Sequence, residues 1–154
     1  NAYRILKDNG RMGIVLSNSL ASIDRWEDAR KWLFEKMRIV ALFDLPANVF
    51  ADTGVNVTIV VAYKPPEEEL KELQKGNYNI FVKDIKKVGY EIRTLKRVKF
   101  FHQIYKINEE TFDIEQDKEG RPLLDEEFTD TVTEFKKWCL SQEKTLQDLF
   151  VKDR

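Results

Sequence analysis

The 154-residue chain is poor in the residues that build stapled or metal-held folds, with one cysteine, Cys139, and one histidine, His102. A lone cysteine excludes an internal disulfide and any multi-cysteine metal site. With one histidine, zinc would have to be held mostly by carboxylates, and no such spacing occurs. Six glycines are present, at 10, 13, 54, 76, 89 and 120, and no two form a G-x-G pair. The four prolines, 46, 65, 66 and 122, include none in an Asn-Pro-Pro-aromatic context. The longest apolar run, residues 57–63, is far too short to cross a bilayer. No charged-then-apolar leader opens the chain, so a cytoplasmic protein is expected. The first residue is Asn1, within a helix-like run, which suggests a piece of a longer polypeptide.

What is present is an ordinary soluble balance, 42% hydrophobic and 34% charged residues, with a net charge of -1. The whole chain therefore does not advertise nucleic-acid binding, and only a local patch could provide it. After a short helix, Asn9-Gly10 reads as a stop, because glycine takes the left-handed conformation cheaply. Residues 12–16 then read as a buried strand. Asp24 with Glu27 resembles a capping box, and Trp26, Ala29, Leu33 and Met37 follow at helical spacing, predicting a helix over 24–36.

Residues 38–45 form a second buried strand stopped by Pro46, and residues 57–63 a third stopped by Pro65-Pro66. A helical crossover suits a parallel pair of strands, and a helix-free loop suits an antiparallel neighbour. This pattern is half of an α/β sheet. A short polar helix is expected over 67–74. Strands follow over 78–85 and 90–94, turning at Gly89, with another over 98–107. Residues 109–127 hold nine acidic side chains against Lys118 and Arg121 and read as an exposed loop. Phe128, Val132, Phe135, Cys139, Gln142, Leu146 and Leu149 make a heptad seam, with Gln142 its one polar interruption, on one long C-terminal helix. The expected division is 1–66, 67–124 and 125–154.

Three segments carry a resemblance. Gly10-Arg11-Met12-Gly13-Ile14-Val15-Leu16 resembles the G-R-x-x-x-V-L-P strand of the modification subunits of type I restriction-modification systems, with Ser17 where proline is common. Arg38-Ile39-Val40-Ala41-Leu42-Phe43-Asp44-Leu45-Pro46, then Val49-Phe50 and Thr53-Gly54-Val55, is similar to that family's next block. Tyr78-Asn79-Ile80-Phe81 through Lys87-Val88-Gly89-Tyr90 is similar to the extension after its catalytic sheet. The match spans roughly residues 10 to 93 and, more loosely, the last helix.

The resemblance implies the C-terminal half of a Rossmann-like, S-adenosylmethionine-dependent methyltransferase sheet, with a β-rich extension and a long terminal helix. This chain would supply the last three strands and the helix between the first two. It also implies methyl transfer from S-adenosylmethionine to the N6 amine of a flipped adenine in duplex DNA. The glycine motif that would bind the cofactor and the Asn-Pro-Pro-aromatic motif that would hold the amine are both outside this sequence. The segment alone is expected to be inactive, the cofactor being held by a preceding part. Implied partners are double-stranded DNA, the specificity subunit and the restriction subunit, with no membrane.

Phe50 lies where the family's base-stacking aromatic sits, and an aromatic face suits an extracted base. It could equally plug its loop onto the core. Ser17, Asn18 and Asp44 stand near carboxyl ends of strands, where open α/β sheets bind ligands, although polar residues there often only form the turn. Asn56 and Thr58 flank the loop exit and are candidates for phosphate contact. Between residues 83 and 106 eight basic residues stand against two acidic ones, an excess of six. Of these, Lys86, Lys87, Arg93, Lys96 and Arg97 are the candidates for DNA phosphates. The alternative is a solvated strand face balanced by the acidic loop. His102 reads as a strand residue and Cys139 as core. The terminal seam could bind another protein's helix or pack on this chain's own sheet. A non-enzymatic DNA- or protein-binding α/β module is the competing reading of the whole chain.

Overall fold

The computed structural model describes residues 1–17, 27–47, 49–50 and 54–152. Asn18, Asp24, Trp26 and Thr53 lie outside the described residues. A single helical turn, α1 (Ala2–Ile5), leads into β1 (Arg11–Ser17). Asn9, with φ 60°, takes the left-handed conformation at the turn rather than Gly10. Gly10 is required for a different reason, since a Cβ there would stand 2.7 Å from the Lys7 carbonyl oxygen. The expectation of a left-handed glycine is therefore corrected to a left-handed asparagine beside a glycine of close approach.

Helix α2 (Glu27–Lys36) opens with Glu27 and Asp28 and closes with Lys36, charges that suit the helix dipole at each end. It leads into β2 (Arg38–Leu45), and β3 (Val57–Tyr63) follows the loop. Helix α3 (Glu67–Lys75) comes next, then β4 (Phe81–Asp84). The sheet order is β1-β3-β2-β4. β1 and β2 run in the same direction, and β3 lies between them, antiparallel to both. The helical crossover thus joins two co-directional strands, and the reversed third strand fills the space between. β4 pairs with β2 in parallel.

The apolar residues sort to both faces of this sheet. On one, Met37, Ile39, Val60 and Ala62 pack with Met12, Ile14 and Leu33. On the other, Val40 and Tyr63 are covered by Leu146, Leu149, Phe135 and Trp138 from the C-terminal helices. A third cluster, Leu45, Val57 and Ile85 with Val49 and Val88, closes one end of the sheet. No helix among the described residues is long and apolar enough to cross a membrane.

Three expectations are corrected. Residues 78–80 are outside the strand, and β4 and β5 (Tyr90–Leu95) do not form a hairpin at Gly89, because β4 joins the large sheet while β5 pairs with β6 (Val98–Gln103) in a second sheet. Gly89 has φ +81° and is packed so that a Cβ would meet Leu124 Cβ at 3.2 Å. The strand expected to reach residue 107 ends at Gln103, and Tyr105 and Ile107 make isolated bridges to Leu124 and Ile114. The long terminal helix is two helices, α4 (Phe128–Leu140) and α5 (Lys144–Phe150). At the break, Ser141 Oγ donates to the Trp138 carbonyl, and Gln147 Nε2 donates to the carbonyls of Leu140 and Gln142. These side chains satisfy the freed backbone groups and let α5 turn onto the sheet. The seam residues Cys139, Leu146 and Leu149 are buried within this chain, while Phe128 and Val132 remain exposed.

Candidate nucleic-acid interface

Register alone gathers several candidate residues. Ser17 stands opposite Val57, Asp44 opposite Thr58, and Asp44 opposite Asp84. The carboxyl ends of β1, β2 and β4 and the start of β3 therefore lie at the same end of the sheet. The loop carrying Phe50 leaves from this end, as do Lys86 and Lys87 after β4. Open α/β sheets bind ligands at this kind of edge.

Ser17, Asp44 and Thr58 line one cavity of about 190 Å³, whose other walls include Leu42, Val60 and Phe34. Thr58 Oγ1 donates to Asp44 Oδ1 over 2.5 Å. The Asp44 carboxylate is thus engaged by a neighbouring strand. Asn56 is exposed just before β3, and Phe50 is 48% exposed.

A second cleft, of about 490 Å³, runs between Pro46, Ala47 and Val49 of this loop and the base of the β5–β6 hairpin, with Lys86, Lys87, Lys99, Glu91 and Asp125 on its walls. Tyr90 Oη donates to the Val49 carbonyl oxygen at 2.8 Å and packs edge-on against Phe101 at 5.1 Å. This contact ties the hairpin base to the residue preceding Phe50. Sequence reasoning missed it, because no local pattern shows which loop a strand-end tyrosine will reach. The backbone N–H groups of Lys86 and Lys87 both donate to Glu127 Oε2, at 2.6 and 2.9 Å. Those two donors hold the Glu127 carboxyl below its ordinary pKa.

The basic stretch is partly balanced from within. Lys83 pairs with Glu134, Lys87 with Asp125, Arg93 with Glu91 and Lys106 with Glu115. Lys86, Lys96 and Arg97 form no ion pair among the described residues. Lys96 and Arg97 make the two-residue turn between β5 and β6, both at positive φ, 48° and 68°. Such a turn normally takes Asn-Gly, so nothing in the sequence announced it. His102 is half-buried on β6. Cys139 is fully buried, and burial pushes its thiol up to about 11.

Among the described residues this end of the sheet brings together polar and basic side chains, with no assembled nucleophile and base. Nor do the described residues fit S-adenosylmethionine. Gly13 lies mid-strand in open space, Gly89 and Gly120 sit in turns, and none forms a paired-glycine cradle at a strand end. Among the described residues no three His, Cys, Asp or Glu side chains converge as for a metal.

An open α/β sheet with its polar residues collected at the carboxyl ends of its strands is a ligand-binding architecture, here with a basic hairpin beside it. The chain matches the N-6 DNA methylase family over residues 2–148, and it belongs to that family. It is 32% identical over 94 residues to a protein of Methanocaldococcus jannaschii provisionally named a type II restriction enzyme and methyltransferase. That alignment covers 60% of this chain and 8% of the relative, so the chain spans a small part of it. Among solved structures it is similar to a modification subunit of a provisionally assigned type I restriction enzyme from Vibrio vulnificus YJ016. The likeness has 12% identity and a TM-score of 0.33, covering 75% of this chain and 26% of that one.

Proposed function

We propose that the chain is the C-terminal part of a site-specific DNA adenine-N6 methyltransferase subunit of a type I restriction-modification system. The observation that carries this reading, beside the family membership, is the sheet. Among the described residues β1 stands at the outer edge with a partner on one side only, and the described candidate residues of the sheet lie at the carboxyl ends. A preceding part of the polypeptide continues the Rossmann-like sheet beyond β1 and holds S-adenosylmethionine, the methyl donor of the family. Residues 1–66 complete the catalytic domain, 67–124 form the extension and 125–154 the helical end.

In this reading, Phe50 stacks on the flipped adenine, while Ser17, Asn18 and Asp44 border the cleft. Asn56, Thr58, Lys86, Lys87, Arg93, Lys96 and Arg97 meet DNA phosphates. The specificity subunit and the restriction subunit are the protein partners, in the cytoplasm. These residues bind, orient and exclude water, and the transfer itself belongs to the preceding part. The 154 residues alone bind no methyl donor and transfer no methyl group.

The test is calorimetry with S-adenosylmethionine. The 154-residue chain should give no heat of binding, and the polypeptide carrying its upstream sequence should bind. An upstream sequence with neither a G-x-G strand nor an Asn-Pro-Pro-aromatic motif removes the enzyme reading. For Phe50, the Phe50→Ala variant of that polypeptide should show a smaller rise in 2-aminopurine fluorescence on target DNA. An unchanged rise would return Phe50 to a packing role. The exposed basic hairpin favours a second reading, a DNA-binding module without catalysis, which predicts duplex binding and no donor binding by either polypeptide.

A further inference from the structure

The outer part of the β5–β6 hairpin is the longest unbroken exposed run among the described residues. All nine residues 93–101 are exposed, on both faces of the ribbon. They comprise four cations (Arg93, Lys96, Arg97 and Lys99), no carboxylate, and four apolar side chains. Leu95 and Val98 face each other in register at the tip and are 64% and 65% exposed. Phe100 and Phe101 follow on opposite faces, at 41% and 56%. Large apolar side chains exposed at the end of a ribbon, beside Lys96 and Arg97, mark a surface that meets something.

Charge says what. Arg93 is paired with Glu91, but Lys96 and Arg97 at the tip form no ion pair among the described residues, so in a chain of net charge -1 the tip is locally positive. A polyanion is its complement, and a duplex also offers thymine methyl groups to apolar side chains. Shape agrees with the same occupant. Six residues per strand project the ribbon by ~20 Å. The major groove is about 12 Å wide and about 8.5 Å deep and admits a two-stranded ribbon. The turn places two non-glycine residues in the left-handed region, a backbone cost that a folded hairpin retains only where its surroundings or its use require it.

We propose that the β5–β6 hairpin enters the major groove of duplex DNA. Lys96 and Arg97 contact the phosphates at the groove wall, and the Leu95–Val98 pair presses on base edges. The inference rests on the reading of duplex DNA as the substrate, and it adds the reading element, the groove and the apolar contact. The ribbon's base is held to the Phe50 loop by Tyr90, so its engagement would orient the sheet end over the same duplex.

The experiment is the salt dependence of binding of the intact protein to a 20-base-pair duplex. Lys96→Gln with Arg97→Gln should make the log–log slope shallower by about 1.8, since each lost phosphate contact removes about 0.9. Lys96→Arg with Arg97→Lys should retain the slope. Leu95→Ser with Val98→Ser should keep the slope and weaken binding by about tenfold. Far-UV circular dichroism and the hairpin amide spectrum establish that each variant is folded.

No duplex affinity in the intact protein, or an unchanged slope in the Gln pair, overturns the proposal. So does a Gln pair that keeps the slope but loses capture of a second protein subunit, which would make the hairpin a protein-docking element. Donor binding, measured separately, keeps the two readings apart. Donor bound by the polypeptide carrying the upstream sequence, with an unchanged slope, sinks the hairpin alone, and a reduced slope with no donor bound by that polypeptide sinks the enzyme reading alone.

Discussion

Burial of the Arg38 guanidinium has an unusual balance of partners. It lies 3.9 Å over the Tyr78 ring, and Nη1 donates to the Ile39 carbonyl. Its carboxylate partner, Glu143, stands 3.7 Å from Nη2 and is itself half-exposed. Arg38→Ala should cost about 3 kcal/mol through the cavity and the lost ring contact. Arg38→Met should be close to neutral, because a flexible apolar chain fills the space without a desolvated charge. Urea unfolding of the two variants checks this, and equal losses would refute it.

Cys139, with its thiol raised by burial, should react with a disulfide reagent at neutral pH only on unfolding. Labelling kinetics with and without denaturant provide the measurement. At this scale the sequence was legible where a residue's surroundings are local. Cys139 on an apolar seam reads as core, whereas the buried arginine at the start of β2 does not, since its partners come from residues 78 and 143.

Among the elements, α4 is fastened at its start by two adjacent carboxylates with different duties. Glu126 accepts from the Thr129 N–H at 3.0 Å and from its hydroxyl at 2.7 Å, and so stabilises the first turn. Glu127 reaches across to the connector after β4 instead. Both carboxyls are held below their ordinary pKa by these donors. A carboxylate depressed in the folded state contributes stability above its unfolded pKa and loses it as pH falls through the folded value. Protection of the Lys86 and Lys87 amides should therefore persist through the ordinary glutamate range and fall as the pH is lowered further, and Glu127→Gln should lower it at neutral pH as well. Hydrogen-exchange protection factors decide it.

The β5–β6 turn offers an opposite pairing. Lys96→Asn with Arg97→Gly suits two left-handed positions and should stabilise the hairpin by about 1 kcal/mol while weakening duplex binding. Thermal melts and binding isotherms should move in opposite directions. Element types were read well where period and breakers agreed. The ranges predicted for β2 and β3 match the structure, and α3 extends one residue beyond its expected end. The strands at 90–94 and from 98 were read nearly in place, but their pairing as a hairpin and the break between α4 and α5 were not legible. A Lys-Arg turn carries no glycine or asparagine signal, and the seam continues by period across a bend that is marked only by its one polar member, Gln142, and whose carbonyls are satisfied by side chains.

Over the whole molecule, strand direction followed from connection lengths, but strand order did not. Placing β3 between β1 and β2 depends on which edges find partners, a property of the assembled sheet. The gathering of Ser17, Asp44, Lys86 and Lys87 at one end was nonetheless half visible, since each follows or ends a strand of shared direction.

The outer edge of β1 has a further consequence for handling the protein. Arg11–Ser17 presents a row of backbone donors and acceptors with no neighbour among the described residues, and Val15 is 48% exposed beside it. Such an edge is a template for a second copy, so the 154-residue chain should aggregate edge to edge as its concentration rises. Val15→Lys should hold it monomeric in sedimentation velocity runs, because a lysine on that border repels stacking of like ribbons.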